Sequence, residues 1–216
     1  MVEWIKQNKI AAASIVAIVV VAVAFLFLPG RARADGPTNR GKIAATGGEV
    51  TKLWTGIYLG GFGTYGTGSL GDSGPIDISA TGPSAGVAVG INVQTGQIVW
   101  GAELNHAWFF GDLKDVGLNT EIEYLGRVGY LWNPRSLVYV HGSFVQIDTS
   151  WGNFEGWGYG VGIETKTPLE GWSLDLRAGV KDYDVESIHS DAEAHVLYAR
   201  LGLNKRFDLP VGWLGQ

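Results

Sequence analysis

The sequence predicts an all-β fold, a closed up-and-down barrel of eight antiparallel strands preceded by an N-terminal signal helix, and three observations predict it. Period-two alternation recurs from Leu53 onward while no helical period is sustained. The links between alternating segments are long and short in turn, and one face of the best strands is bulky and apolar while the other holds glycine and charge.

The first segment reads as an export signal. Lys6 and Lys9 make a positive start, Ile10 to Leu28 is almost wholly apolar, and Ala32-Arg33-Ala34 supplies a small-x-small cleavage pattern before Asp35. Removing residues 1–34 moves the formal net charge from −5 to −8 by taking away Lys6, Lys9, Arg31, Arg33 and Glu3. The apolar run is long for a signal core, and Arg31 and Arg33 fall on the translocated side, so an uncleaved helix tethering a periplasmic β-domain is the alternative. A chain that starts at Asp35 by mass spectrometry excludes it. Residues 35–52 read as a flexible polar arm, 53–207 as the barrel and 208–216 as a tail.

Four strands set the pattern. Ala85, Val87, Val89, Ile91 and Val93 oppose Gly86, Ala88, Gly90 and Asn92; Trp157, Tyr159, Val161 and Ile163 oppose Gly158, Gly160, Gly162 and Glu164. Trp172, Leu174, Leu176, Ala178 and Val180 oppose Ser173, Asp175, Arg177, Gly179 and Lys181, and Leu197 to Leu203 opposes Tyr198 to Asn204 in the same way. Further strands are expected over Leu53 to Tyr65, Ile98 to Phe109, Glu121 to Trp132 and Leu137 to Ile147. The first and last of these have no clear phase, and Leu125 and Leu131 fall on the polar face.

Long polar links are expected at Gly66 to Gly82, Phe110 to Thr120, Asp148 to Glu155 and Asp182 to Ala194, and tight turns at Gln94 to Gln97, Asn133 to Arg135 and Thr167 to Gly171. Long outer loops and short periplasmic turns are the habit of outer-membrane barrels, and this order puts both chain ends on the periplasmic side.

The charges decide which face meets what. Glu103, Arg127, Glu164, Asp175, Arg177, Lys181 and Arg200 share the glycine-rich face. Arg or Lys facing lipid at the midplane costs about 2–4 kcal/mol, so the four basic residues would cost about 8–16 kcal/mol, as much as a domain's whole stability. A transmembrane barrel must therefore turn them inward as a lumen charge network, with glycines making room. An eight-stranded barrel is just wide enough for side chains to fill, so a general diffusion pore is not expected. The soluble alternative is a lipocalin-like barrel with the apolar face inside. Trp54, Trp108, Trp132, Trp157 and Trp172 near strand ends suggest interfacial girdles.

Composition narrows the function. With Cys 0, thiolate zinc sites, Cys nucleophiles and disulfide scaffolds are excluded. A net charge of −5 without a basic run excludes nucleic acid as a partner.

The motifs Trp54-Thr-Gly-Ile-Tyr58-Leu-Gly60, Gly86-Val-Ala-Val-Gly90-Ile-Asn92-Val-Gln94, Gly126-Arg127-Val-Gly129-Tyr130 and Gly158-Tyr-Gly160-Val-Gly162-Ile-Glu164 resemble the strands of small Gram-negative outer-membrane barrels related to the OmpA transmembrane domain. The likeness is nearest to the outer-membrane immunogenic, porin-family surface proteins of alphaproteobacteria. It implies a surface antigen and envelope anchor in the cell outer membrane, in some relatives a binder of haem or host ligands. It also implies lipid and lipopolysaccharide as surroundings, and an assembly signal read by the outer-membrane assembly machinery, here around Gly202 and Phe207. Lys205 stands in that segment where an apolar residue is common.

Other chemistry is weighed against this. Gly61-Phe-Gly63-Thr-Tyr-Gly66 fits a dinucleotide pattern but is followed by a Gly/Ser/Asp loop, not a helix. His141-Gly-Ser143 offers a base and a nucleophile on one strand face and resembles the His-x-Ser of outer-membrane lipid A deacylases, with Phe144 where those enzymes have Asn. Asp184, Glu186, His189, Asp191, Glu193 and His195 crowd the last long loop, where a divalent metal or cation-bridged lipopolysaccharide is conceivable. The expectation is a structural, non-enzymatic surface barrel with no catalytic or metal residues and no cofactor, whose loops make any ligand or host contact. A lipid-modifying hydrolase is the alternative.

Overall fold

The computed structural model describes residues 54–71, 77–150, 152–184 and 193–207. Eight strands follow in order: β1 (Gly56–Gly71), β2 (Asp77–Thr95), β3 (Ile98–Phe109), β4 (Leu118–Asn133), β5 (Ser136–Thr149), β6 (Gly152–Lys166), β7 (Trp172–Asp184) and β8 (Glu193–Phe207). Each pairs antiparallel with the next, and β8 pairs with β1, placing Ile57 opposite Phe207, so the sheet closes. One helical turn, α1 (Asp112–Asp115), lies between β3 and β4 with Leu113 buried. Cleavage residues Ala32, Ala34 and Asp35, the arm 35–52 and the tail 208–216 lie outside the described residues, as do Glu186, His189 and Asp191.

Register sets the shape. Paired residues followed from Tyr58 through Gly90, Glu103, Leu125, Ser143, Gly158, Lys181 and Val196 lead back to Gly68, a shear of ten residues. Eight strands with that shear tilt by about 40° around a radius of about 8 Å, an interior that side chains can fill. The tight connections lie at one end, where Gly96 (φ 63°) and Gly171 (φ 74°) take the left-handed conformation that their turns need.

The bulky rows of the four clearest strands face outward: Val87, Val161 and Leu201 are 51%, 59% and 52% exposed. The glycine-and-charge rows face inward. The strands run further at the loop end than the sequence suggests. β1 and β2 pair through Gly71 and Asp77, and β5 and β6 pair to Thr149 and Gly152, inside segments read as long links. The reason is a reversal of pattern. Toward the loop end the outward positions become polar (Gln146, Asp148, Glu155, Asp182), while the inward ones become apolar (Val145, Ile147, Phe154, Tyr183). That is how a strand reads once it leaves hydrocarbon for water.

The lumen is consequently layered. At the turn end Trp54, Val99, Leu131, Leu137 and Tyr139 form one apolar plug. At the loop end Val145, Ile147, Phe154 and Tyr183 form another, with Phe109, Leu118 and Val196 against it. Ionised side chains occupy the space between. Outside, exposed aromatics form two belts: Trp100, Tyr130, Trp132 and Phe207 at the turn end, and Tyr65, Trp108, Tyr124, Trp157 and Tyr159 at the loop end. Trp100 and Trp108 are eight residues apart on β3, about 20 Å of height at about 3.3 Å per residue and a tilt of about 40°. Trp54 belongs to neither belt. It lies before β1 rather than on the outer wall, and it is fully buried in the turn-end plug.

Candidate functional site

All seven charged residues picked out in the sequence, Glu103, Arg127, Glu164, Asp175, Arg177, Lys181 and Arg200, project into the lumen and are buried. At the turn end Arg206 Nη2 lies 3.1 Å from Glu164 Oε1, and Arg127 Nη2 lies 2.9 Å from Glu164 Oε2. Ser173 Oγ donates to the same carboxylate at 2.5 Å. Arg127 also donates to Asn92 Oδ1 at 3.1 Å, and its guanidinium sits between the rings of Tyr58 and Tyr139, 5.1 and 5.0 Å from their centroids. The Tyr58 hydroxyl donates to Glu103 Oε2 at 2.6 Å.

Glu103 is the hub. Arg177 Nη1 lies 3.0 Å and Arg200 Nη2 3.2 Å from its Oε1, while Arg177 also reaches Asp175 at 2.8 Å. Tyr139 donates to the other Asp175 oxygen at 2.5 Å. The Arg200 guanidinium stacks 3.6 Å over the Phe62 ring. Toward the loop end Lys181 pairs with Glu121 and lies 3.7 Å from Glu123, Tyr183 donates to Glu121, and Asn105 donates to Glu123 at 3.0 Å. Cations and anions are thus interleaved from Arg206 to Glu121, with like charges directly opposite each other at Glu164 and Asp175 and at Arg177 and Arg200, each of them paired with an opposite charge.

Three members of this ladder, Glu121, Glu123 and Arg206, escaped the sequence reading. Strand parity was the signal that would have found them: Glu121 and Glu123 share the face of Leu125 and Arg127 on β4, and Arg206 shares that of Arg200 and Asn204 on β8. With them, the buried charges among the described residues are five acids (Glu103, Glu121, Glu123, Glu164, Asp175) and five bases (Arg127, Arg177, Lys181, Arg200, Arg206). These ten buried charges balance one another. Its glycines are spaces for rings: a Cβ at Gly90 would overlap Tyr58, and one at Gly162 would overlap Tyr139.

The remaining candidate residues fall as follows. Gly202 faces inward beside Asp175, and Phe207 faces outward opposite Ile57 at the closing seam. Lys205, outward between Leu203 and Phe207, carries its charge to the interface: Nζ donates to Glu170 O at 2.8 Å and lies 5.7 Å from the Trp172 ring centroid. His141 and Ser143 both face the lumen at 5% and 4% exposure, and the nearest hydroxyl partner of His141 Nε2 is Tyr198, at 3.3 Å. The Gly61 to Gly66 motif lies within β1. Asp182 and His195 pair at 2.6 Å on the outer face, and among the described residues no three His or carboxylate side chains gather as a metal site.

No family model matches the chain. The 22 kDa outer membrane protein of Rhizobium leguminosarum bv. viciae is 34% identical over 151 residues, 62% of this chain and 69% of that protein. Among solved structures, Neisserial surface protein A has 13% identity and a TM-score of 0.42, over 71% of this chain and 98% of that one. Ail, the attachment invasion locus protein of Yersinia pestis, has 13% identity and a TM-score of 0.37, over 71% and 99%. The chain is an outer-membrane protein that crosses its membrane as an eight-stranded barrel, and it belongs to the family of the Rhizobium 22 kDa outer membrane protein.

Proposed function

We propose that this barrel is a structural element of the envelope with a sealed lumen, and that contacts with ligand or host are made by its loop end as a surface antigen would make them. The observation that carries the reading is the filled axis: two apolar plugs enclose a ladder of five acids and five bases, and Arg127, Glu164, Arg177, Glu103 and Asp175 have side chains with 0% exposure. An ion entering such a lumen would have to break buried pairs whose separation costs about 3–5 kcal/mol each. Lipid and lipopolysaccharide are the surroundings of the outer wall, and the outer-membrane assembly machinery is the partner for its C-terminal strand. The hydrolase reading is disfavoured because His141 and Ser143 lie inside the wall between the plugs, away from any acyl ester in the bilayer.

Planar-bilayer recording of the folded protein tests the proposal: no stable conductance step is expected, and a steady open channel of wild-type protein would overturn it. Hydrolysis of lipid A abolished by Ser143→Ala would instead favour the enzyme.

A further inference from the structure

The outer wall is not evenly covered. Across β2 to β5 one register row reads Ile91, Ala102, Gly126, Gly142. The row above it reads Val89, Leu104, Tyr124, Phe144, and the row below it Val93, Trp100, Val128, Val140. Three small residues side by side between two bulky rows leave a groove of about 530 Å³. The barrel's own packing does not demand them: a Cβ at Gly126 would meet nothing within 4 Å, and one at Gly142 would meet only Gly158 O at 3.9 Å. The lumen-facing glycines differ, since Gly90 and Gly162 make room for rings. Here the open space is on the lipid side.

The groove is continuous with the membrane-facing wall of an outer-membrane protein, and it reaches from the turn-end belt at Trp100 to about the middle of the apolar band. Water does not fill such a space, and leaving it empty forfeits dispersion contacts along its whole lining. A second barrel is convex and cannot enter a channel one residue row wide. The groove also crosses the strands obliquely to the membrane normal, so its occupant must be slender and able to bend. A groove of about 530 Å³, open along its outer side, has room for one slender chain and not for a folded partner. The geometry points to a resident lipid: one acyl chain of a diacyl phospholipid in the turn-side leaflet seats against Trp100, Val128 and Val140, on Ala102, Gly126 and Gly142.

The test uses the full barrel in bilayers containing a phospholipid with a photoactivatable diazirine midway along one acyl chain, with labelled peptides mapped by mass spectrometry. Peptides bearing Ala102, Gly126 and Gly142 are expected to be labelled about threefold or more above the Leu174, Leu201 and Leu203 wall, the ratio that a preference of about 0.65 kcal/mol gives. Gly126→Leu with Gly142→Leu is expected to abolish the excess while keeping the heat-modifiable gel shift of the closed barrel. Should that pair fail to fold, Ala102→Leu is expected to reduce the excess alone. Equal labelling of both walls of the wild-type barrel, or protein-to-protein crosslinks in place of lipid adducts, would overturn the proposal.

Discussion

Trp54→Ala tests whether the turn-end plug holds the barrel shut. The indole is fully buried against Val99, Leu131, Leu137 and Tyr139. Its Nε1 donates to Pro134 O at 3.2 Å, and its ring has the Arg206 guanidinium 4.4 Å and the Lys166 ammonium 5.2 Å from its centroid. The side chain therefore ties together strands that are remote in sequence. Truncating a buried Trp costs about 3–5 kcal/mol. The lost indole hydrogen bond adds about 1 kcal/mol, and the lost cation–π contacts about 0.5–2 kcal/mol. Water entering at the turn end offsets part of this, so the expected loss is about 4 kcal/mol, close to a thousandfold in the folding equilibrium. The assay is urea unfolding in lipid vesicles, followed by the heat-modifiable gel shift. Trp132→Ala, at a residue 70% exposed to the bilayer side, is the control and should cost at least about 2 kcal/mol less. Trp54→Phe should cost about 2 kcal/mol, the lost N–H bond together with the smaller ring in a fully buried site. A loss below about 1 kcal/mol for Trp54→Ala would refute the plug.

Arg127→Ala leaves the Glu164 carboxylate with Arg206 as its one remaining guanidinium and frees Asn92 Oδ1, and should cost about 3 kcal/mol, whereas the double variant Arg127→Met, Glu164→Leu should cost less than the two single changes together; a double-mutant cycle measures the difference. Leu201→Arg puts a guanidinium on the lipid face between the belts and should cost about 2–4 kcal/mol by equilibrium unfolding in vesicles, while Lys205→Arg, which can snorkel as Lys205 does, should cost under about 1 kcal/mol. Gly90→Leu would push into the Tyr58 ring that donates to Glu103, so the heat-modifiable closed form should be lost or weakened by more than about 3 kcal/mol.

How far the sequence could be read follows from where each strand stands in the membrane. β3 emerges with the bounds that alternation suggests, Ile98 to Phe109, because most of it lies between the belts, where outside is hydrocarbon and inside is ionic. β5 had no clear phase because it crosses all three layers. Inward it runs Leu137, Tyr139, His141, Ser143, Val145, Ile147; outward it runs Val138, Val140, Gly142, Phe144, Gln146, Asp148. A single hydropathy rule applied along it averages two opposite patterns. The same layering explains Leu131, which belongs to the turn-end plug; Leu125 instead lies inward in the ionic layer, in register with Glu103 and Ser143. Glu121 and Glu123 were missed because they fall where the strand passes into what read as a polar loop, although their parity with Arg127 is unbroken. Trp54 was misplaced because an aromatic at a strand end is equally suited to a belt or a plug, and only the closure of the sheet above it decides which.

The balance of five against five has a consequence beyond neutrality. Buried ion pairs add little net stability, since the cost of desolvating two charges about cancels their attraction. What such pairs do strongly is penalise alternatives. A slip of one residue at any strand pair would turn a whole ionic row into hydrocarbon, at about 2–4 kcal/mol for each cation near the midplane. A slip of two would keep the faces but carry Arg127 away from Glu164, or Arg177 away from Glu103, and leave both ends of each pair unmatched. The outer wall, built of interchangeable apolar side chains, tolerates the slip of two far better. The choice among registers, and with it the shear of ten that sets the barrel's width, therefore rests on the ladder of charges inside it.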